Sequence, residues 1–339
     1  MAKPRKIKGI DCNGAAGAGI KRVLQGRFRE MAKLRDTALN WNDLEGVHSM
    51  RVASRRLRSA LRDFTPYLRK RGLASSLGKI KRIADALGEV RDQDVAIDAL
   101  EKLRSTAPQE VSAVIGELIS IREVARNKAR QNLNRIVARA QLKQLNRSFV
   151  TAVDAATAPK AQRGTATKPD PSYLDMARSV ILDRLKELEK LSNGLYRPLK
   201  AKPLHDMRIA AKRLRYAIEL FQECWGADIV PFAAETARLQ TSLGDLHDCD
   251  VWIESFGEHI LESKKKKDQY QNDEFSWLLS HFIDTRHNHF DEAFDIWREW
   301  EARGISDMLR QVLSPLKAQP SAETSDPASG LPEPPTNPS

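Results

Sequence analysis

Two segments of the chain begin with a histidine and continue with arginines and lysines at helical spacing. The first reads HSMRVASRRLRSALRDF from His48 to Phe64, and the second reads HDMRIAAKRLRYAIELF from His205 to Phe221. On a helix, each segment gathers its basic side chains into a stripe on one face and its apolar side chains on another. The stripes consist of His48, Arg51, Arg55, Arg58 and Arg62 in the first segment and of His205, Arg208, Lys212 and Arg215 in the second.

Such a stripe suits the binding of an extended anion. Like charges three and four residues apart repel one another by about 0.2–0.5 kcal/mol per pair, and phosphate groups relieve that repulsion through charge-assisted hydrogen bonds. The stripe from His48 to Arg62 is about 21 Å long at about 1.5 Å per residue, longer than a single small anion. A protonated histidine near a phosphate chain would donate from both ring nitrogens. The alternative is that the stripe is a solvent-exposed helix face whose charges pair with acidic neighbours. A stripe that occurred only once would favour this alternative.

The stripe occurs twice, and so does a second motif. About half of the positions in the two histidine-headed segments are identical, at an offset of 157 residues. The segment LGEVRDQDV at Leu87–Val95 matches LGDLHDCDV at Leu243–Val251, at an offset of 156. Two matches in the same order at nearly the same offset indicate an internal duplication. A duplicated basic stripe favours anion binding over a merely solvated face.

The composition favours an anionic partner and does not indicate a disulfide-rich or membrane-spanning protein. The 339 residues carry 56 Lys and Arg against 45 Asp and Glu, a formal net charge of +11. That surplus favours nucleic acid, anionic lipid, polyphosphate or acidic protein without choosing among them. Cys12, Cys224 and Cys249 are widely spaced and predict reduced thiols in a reducing compartment. No apolar run is long enough to span a bilayer, so we expect no membrane association.

The chain is predicted to be all-α and divided into two halves. Apolar residues recur at three- and four-residue spacing in long segments such as Ile20–Leu39 and Val111–Phe149. Stretches rich in Gly, Ala, Pro, Ser or Thr interrupt this pattern and predict unstructured connections. The expected organisation is a flexible arm over residues 1–18, a first helical unit over 19–154, a linker over 155–172, a second unit over 173–315 and a disordered tail over 316–339.

The motifs resemble those of the CHAD family, the conserved histidine α-helical domain. Its pattern H-x-x-R-V-x-x-[RK]-R-L-R is similar to His48–Arg58 and His205–Arg215, and its pattern L-G-x-x-R-D-x-D-V is similar to Leu87–Val95. The second copy of the latter departs at His247, which replaces an arginine. The resemblance implies two four-helix bundles related by a pseudo-two-fold axis around a basic cavity or groove. It also implies binding of inorganic polyphosphate, often at polyphosphate granules, by a cytoplasmic protein.

The resemblance also implies which residues bind. His247 predicts weaker or more pH-dependent binding in the second unit. By position the binding residues are His48, Arg51, Arg55, Arg58, Arg91, His205, Arg208, Lys212 and Arg215. Weaker candidates are Arg62, Arg82, Arg238, Lys21 and Arg178. Many CHAD proteins carry a CYTH triphosphatase domain upstream, marked by E-x-E-x-K. That motif is absent from this sequence, so we expect a stand-alone member.

Two other functions remain open at this point. A nucleic-acid binder would use the same phosphate electrostatics, although the stripes lack interleaved aromatic residues for base stacking and only Tyr216 is nearby. A metal-dependent phosphohydrolase would need acidic ligands inside the basic site. Asp92, Asp94, Asp248 and Asp250 are more simply explained as orienting the arginine-rich helices. We therefore expect no catalytic residue, no resident metal and no cofactor.

Overall fold

The chain is an all-helical protein, as the sequence predicts. The computed structural model describes residues 7–69, 72–158, 170–266 and 272–314. Within those ranges it has eleven α-helices and no strand, apart from an isolated backbone bridge between Ala15 and Ser172. None of the helices in these ranges is both long and apolar enough to cross a bilayer.

The helices follow the same order in the two halves of the chain. The first half contains α1 (Ala16–Lys33), α2 (Arg35–Ala38), α3 (Leu44–Phe64), α4 (Leu73–Arg104), α5 (Gln109–Ile136) and α6 (Arg139–Thr157). The second half contains α7 (Tyr173–Leu191), α8 (Ala201–Phe221), α9 (Val230–Lys266), α10 (Asn272–Ala302) and α11 (Ile305–Leu313). Apart from the short α2, each helix of the first half has a counterpart in the second.

Corresponding helices meet each other across the centre of the molecule. Helix α1 contacts α7, α3 contacts α8, and α5 contacts α10. The rings of Phe64 and Phe221, which occupy equivalent positions in the repeated segment, pack edge to face with centroids 5.9 Å apart. A pseudo-two-fold relation would bring equivalent elements together in this way.

The apolar core is shared between the halves. One continuous cluster of buried side chains draws on both halves, including Phe28, Leu57, Ile181 and Leu214. A second cluster lies where the outer ends of the α4–α5 and α9–α10 hairpins pack together, around Ile115 and other apolar residues. Since burial of apolar area is the main stabilising term, the two halves stabilise each other.

The described part of the N-terminal arm is packed against the second half. The backbone N–H groups of Tyr173 and Leu174 donate to the carbonyls of Gly14 and Cys12 at 2.9 and 2.8 Å. Helix α1 begins at Ala16, within the predicted arm. Gly19 is needed there because a Cβ atom at this position would clash with the ring of Tyr173. Glycine thus permits close packing of α1 on α7.

A disulfide joins this N-terminal segment to the second half. Cys12 is bonded to Cys224, which follows α8, with their Cα atoms 5.7 Å apart, and Cys249 is a buried free thiol. The prediction of three reduced thiols is therefore wrong for two of them. Sequence spacing missed the pair because 212 residues separate the cysteines and only the fold brings them together.

The other predicted boundaries are partly described. The predicted linker over 155–172 begins inside α6, which extends to Thr157, and ends at Ser172, whose side chain caps α7 by accepting from the backbone N–H of Asp175 at 3.0 Å. Residues 159–169 of that linker, residues 1–6 of the arm and the tail over 316–339 lie outside the described ranges.

Candidate anion-binding cleft

The basic faces of α3 and α8 open onto a single cleft. It has a volume of about 590 Å³ and is walled by α3, α4 and α8. The basic side chains lining it are Arg51, Arg55, Arg58, Arg62, Lys212 and Arg213. Five of these six belong to the stripes predicted from the sequence, so the fold brings most of the first stripe and one residue of the second together.

The apolar face of each helix fixes the direction of its stripe. Met50, Leu57 and Phe64 on α3 are fully buried, as are Met207 and Leu214 on α8. Burying a side chain of this size stabilises the fold by about 1.5–3 kcal/mol, so the helices cannot rotate without exposing them. The basic residues between these anchors must then face away from the core, toward the cleft.

Lys212 and Arg55 form the centre of the positive charge. They occupy equivalent positions in the two repeated segments and face each other across the contact of α3 with α8. Burial, followed by repulsion from Arg55, Arg208, Arg51 and Arg62, lowers the pKa of Lys212 from 10.5 to about 7. Arg55 donates to the hydroxyl of Tyr216 at 3.4 Å. Within the described residues, neither cation has a carboxylate partner.

Acidic residues of α4 also line the cleft, namely Asp85, Glu89 and Asp92. Asp92 accepts from a guanidinium nitrogen of Arg51 at 3.3 Å, and Asp85 lies 4.0 Å from Arg58. On the other side, the carboxylates of Asp245 and Asp248 face Arg208. These contacts agree with the sequence-based interpretation that aspartates orient the arginines, because Asp92 and Asp85 each contact a guanidinium nitrogen.

The motif histidines are not among the residues that line the cleft and lie next to other cations. His48 lies beside Arg91, and its Nδ1 is buried without a hydrogen-bond partner. Burial and Arg91 lower the pKa of His48, and burial and Arg208 lower the pKa of His205. Both imidazoles are therefore neutral at pH 7 in the unliganded protein. Both histidines therefore titrate at a lower pH than the value of about 6.5 expected from the sequence.

His247 pairs with His205. Their Nδ1 atoms are 3.3 Å apart, and the ring centroids are separated by 4.5 Å with a tilt of 55°. Burial, Arg208 and His205 together lower the pKa of His247 to about 4. The first half has no equivalent pair, because Arg91 stands where the second half has His247.

Arg215 does not reach the cleft, although the sequence makes it equivalent to Arg58. Its side chain is buried, donates to Glu219 at 2.8 Å and lies 3.5 Å from the side-chain oxygen of Gln240. The cause is visible in the sequence, since the second segment has Glu219 where the first has Arg62. An acid four residues after an arginine on a helix pairs with it. Arg215 is therefore a packing residue.

Four weaker candidates also lie away from the cleft. Lys21 is 3.0 Å from Asp154, and Arg178 donates to Asp175 and to the carbonyl of Leu313. The other two are Arg82, which lines a separate shallow pocket beside α6, and Arg238, which pairs with Glu235 and Glu299.

The cleft also contains residues that the sequence did not single out as ligands. Tyr216 and Arg213 reach it from α8, and Ser54 and Ser59 reach it from α3. Arg62 donates to the hydroxyl of Ser59 at 2.7 Å. A signal existed for the serines, because they lie among the arginines of the stripe, but a hydroxyl at a helix surface is too common to identify without the fold.

The sequence matches a known domain family and two curated proteins. A model of the CHAD domain family matches residues 22–256. The chain is 27% identical over 251 residues to an uncharacterised protein of Mycobacterium tuberculosis, a match that covers 74% of this chain and 46% of that protein. A second uncharacterised protein from another strain of that organism is 26% identical over the same length. The chain thus spans about half the length of the curated relatives it matches.

Two solved structures are similar to the whole chain in fold. The CHAD domain from the plant Ricinus communis has a TM-score of 0.64 at 20% identity, covering 94% of this chain and 98% of that one. PptA from Streptomyces chartreusis has a TM-score of 0.60 at 12% identity, covering 84% of this chain and 100% of that one. At these identities the similarity establishes the all-α fold and nothing further.

Proposed function

This chain belongs to the CHAD domain family, and we propose that it binds inorganic polyphosphate in the cleft between α3 and α8. The proposed role is that of a binding protein without a catalytic step of its own. Location in the cytoplasm, at polyphosphate granules, is part of the proposal and rests on what the family resemblance implies.

The observation that carries the proposal is the uncompensated pair of Arg55 and Lys212. Holding two cations together in a partly buried cleft destabilises the free protein, and nothing in the packing of α3 on α8 requires both charges. A bound phosphate chain would supply the missing negative charge and restore the ordinary pKa of Lys212. A bound polyphosphate would therefore explain why Arg55 and Lys212 are held together without a carboxylate partner.

The shape of the positive surface favours a linear anion. From Arg51 to Arg62 the four arginines of α3 extend over about 16 Å of helix at about 1.5 Å per residue, and Lys212 and Arg208 flank them from α8. A single phosphate would touch one or two of these side chains. A linear polyphosphate would meet them in succession, each through a charge-assisted hydrogen bond.

The aromatic content of the cleft favours polyphosphate over single-stranded nucleic acid. Tyr216 is the one aromatic side chain among the described residues that line it, and its hydroxyl accepts from Arg55. Proteins that bind single strands combine a basic groove with several stacking platforms. Nucleic acid remains the alternative ligand, and direct competition separates the two.

The proposal is tested by removing the two central charges. Binding of labelled long-chain polyphosphate should weaken at least a hundredfold in an Arg55→Gln and Lys212→Gln double variant, because two charged contacts of about 1.5 kcal/mol each are lost. The matched control replaces the exposed Arg147 and Lys186 with glutamine, which lowers the net charge equally. Equal losses in both variants would mean that polyphosphate responds only to net charge.

A phosphohydrolase is the remaining alternative and has its own measurement. Phosphate release from polyphosphate or triphosphate in the presence of Mg²⁺ or Mn²⁺ should stay at the background rate. Turnover that disappears in the Arg55→Gln and Lys212→Gln variant would contradict the proposal of a non-catalytic protein.

A further inference from the structure

Lys212 is the one lysine among the described residues that line the cleft. It is half-buried on α8, and within the part of the chain that the structure describes its amino group has no hydrogen-bond or carboxylate partner. With a pKa of about 7, about half of the molecules carry a neutral amine at pH 7. A neutral, desolvated lysine amine is a nucleophile. Lys212 therefore has a chemistry available to it beyond that of a cation.

We propose that Lys212 reacts reversibly with carbon dioxide to form a carbamate, which the arginines of the cleft hold as an anion. The amine nitrogen attacks the carbon of CO₂, a C–N bond forms, and one pair of C=O electrons moves onto oxygen. The nitrogen then releases a proton to water, so Lys–NH₂ and CO₂ give Lys–NH–COO⁻ and H⁺. The reaction needs no polyphosphate, so the inference does not rest on the proposed function.

The charges around Lys212 favour this anionic product over the ammonium. The cations that repel the ammonium come from α3 and from the preceding turn of α8 and are, in order of effect, Arg55, Arg208, Arg51 and Arg62. A carbamate reverses the sign of the charge at this position and turns these repulsions into attractions. Its two oxygens can accept from guanidinium N–H groups in the fork geometry that arginine presents to a carboxylate.

The carboxylates of α4 that line the cleft already face other partners. Asp92 accepts from Arg51 at 3.3 Å, and Asp85 lies 4.0 Å from Arg58. Glu89 accepts at 3.3 Å from an amide side chain of α5. The repulsion that a carbamate meets from these acids is reduced because each of them has a partner of its own.

The groups of α8 and α9 near Lys212 leave the local field positive. Burial and Arg208 lower the pKa values of His205 and His247, so both imidazoles are neutral at pH 7. Asp248 faces Arg208 and Arg51. An anion formed at the Lys212 nitrogen is therefore stabilised from these helices as well as from α3.

The repeat supplies an internal comparison. Arg55 occupies the position of Lys212 in the first half, and a guanidinium stays protonated and is not a nucleophile. Lys212→Arg therefore gives the second half the residue of the first, keeps the positive charge and removes the amine. If the cleft also binds polyphosphate, as proposed above, CO₂ should weaken that binding in the wild type but not in Lys212→Arg, because the carbamate replaces a cation with an anion.

The experiment equilibrates the full chain with CO₂ and bicarbonate at pH 7.5, without polyphosphate, and traps carbamates by ethylation with triethyloxonium before mass spectrometry. The ethyl carbamate should be at least tenfold more abundant on Lys212 than on Lys186, which is exposed on α7, because an ordinary lysine is almost fully protonated at this pH. Arg55→Gln should reduce the label on Lys212 at least fivefold. Arg147→Gln, at an exposed position on α6, should leave it unchanged, and circular dichroism of each variant establishes that it is folded.

A melting experiment separates the covalent product from a bound bicarbonate ion. Replacing chloride with CO₂ and bicarbonate at equal pH and ionic strength should raise the Tm of the wild type by about 2 °C, because a reaction confined to the folded state stabilises it. The Tm of Lys212→Arg should not change. A bicarbonate ion held by the arginines would raise both.

Three results would overturn the inference. A label no more abundant on Lys212 than on Lys186 in the folded wild type would mean that Lys212 has no special reactivity. A label that is unchanged in Arg55→Gln would mean that the arginines do not hold the carbamate. An equal rise in Tm for the wild type and Lys212→Arg would mean that bicarbonate binds only as an ion. Since polyphosphate is absent from these experiments, each failure is distinct from failure of the proposed function.

Discussion

Replacing Lys212 with methionine should stabilise the unliganded protein, and the gain should depend on pH. The lysine has a pKa of about 7 in the folded state instead of its ordinary 10.5. The difference corresponds to at most about 5 kcal/mol at about 1.4 kcal/mol per pH unit. Because the side chain is only half-buried, solvent screening reduces the penalty, and we expect about 2 kcal/mol at pH 6.

The direction of this pH dependence follows from proton binding. Between pH 7 and 10.5 the unfolded chain holds the Lys212 proton and the folded chain does not, so this residue makes wild-type stability rise with pH over that range. Below pH 7 the full penalty is present. Methionine keeps the aliphatic contacts and removes the charge, so its advantage should fall to about 1 kcal/mol at pH 9 and vanish near 10.5.

Urea-induced unfolding of wild type and Lys212→Met, followed by circular dichroism at pH 6 and pH 9, measures the gain in stability and its dependence on pH. Lys186→Met is the control, because Lys186 is exposed on α7 and its loss should change stability by less than about 0.5 kcal/mol. If Lys212→Met were no more stable than wild type at pH 6, or equally stabilised at both pH values, Lys212 would not be held in a destabilising cluster.

Three further predictions concern the cleft and its support. Arg58→Gln should weaken polyphosphate binding about tenfold with little change in stability. Arg215→Gln should instead cost about 2 kcal/mol of stability, because Glu219 loses its hydrogen bond from Arg215 and keeps only the more distant Arg56; binding and urea unfolding of both variants separate the two roles. Affinity for polyphosphate should fall up to tenfold per pH unit above pH 7, since the bound anion returns the pKa of Lys212 toward its ordinary value, and a flat profile between pH 7 and 9 would exclude this lysine from contact. Reducing the Cys12–Cys224 disulfide should lower the free energy of unfolding by about 2–5 kcal/mol, and a Cys224→Ser variant should show no response to the reductant.

The helices, and the part of the cleft that α3 supplies, could be predicted from the sequence. Helical periodicity predicted an all-α chain, and the positions of Arg51, Arg55, Arg58 and Arg62 on one face of α3 follow from spacing alone. All four line the cleft. These inferences succeed because they depend on residues within one helix.

Inferences that depend on contacts between helices were less reliable. Arg215 was placed in the site by analogy with Arg58, yet Glu219 draws it into the packed interior. Cys12 and Cys224 meet only because the N-terminal segment runs along the second half. Periodicity also indicates that a helix face is buried but not which face it meets, so the sharing of the core between the halves becomes visible only in the structure.

The most direct test of the central claim is a competition experiment. Labelled long-chain polyphosphate is bound to the purified protein at fixed salt, and DNA of equal phosphate content is added. We expect polyphosphate to stay bound and, in the reverse experiment, to displace DNA. Equal displacement in the two directions would contradict it, because the cleft would then be a generic basic surface without preference for an unadorned phosphate chain.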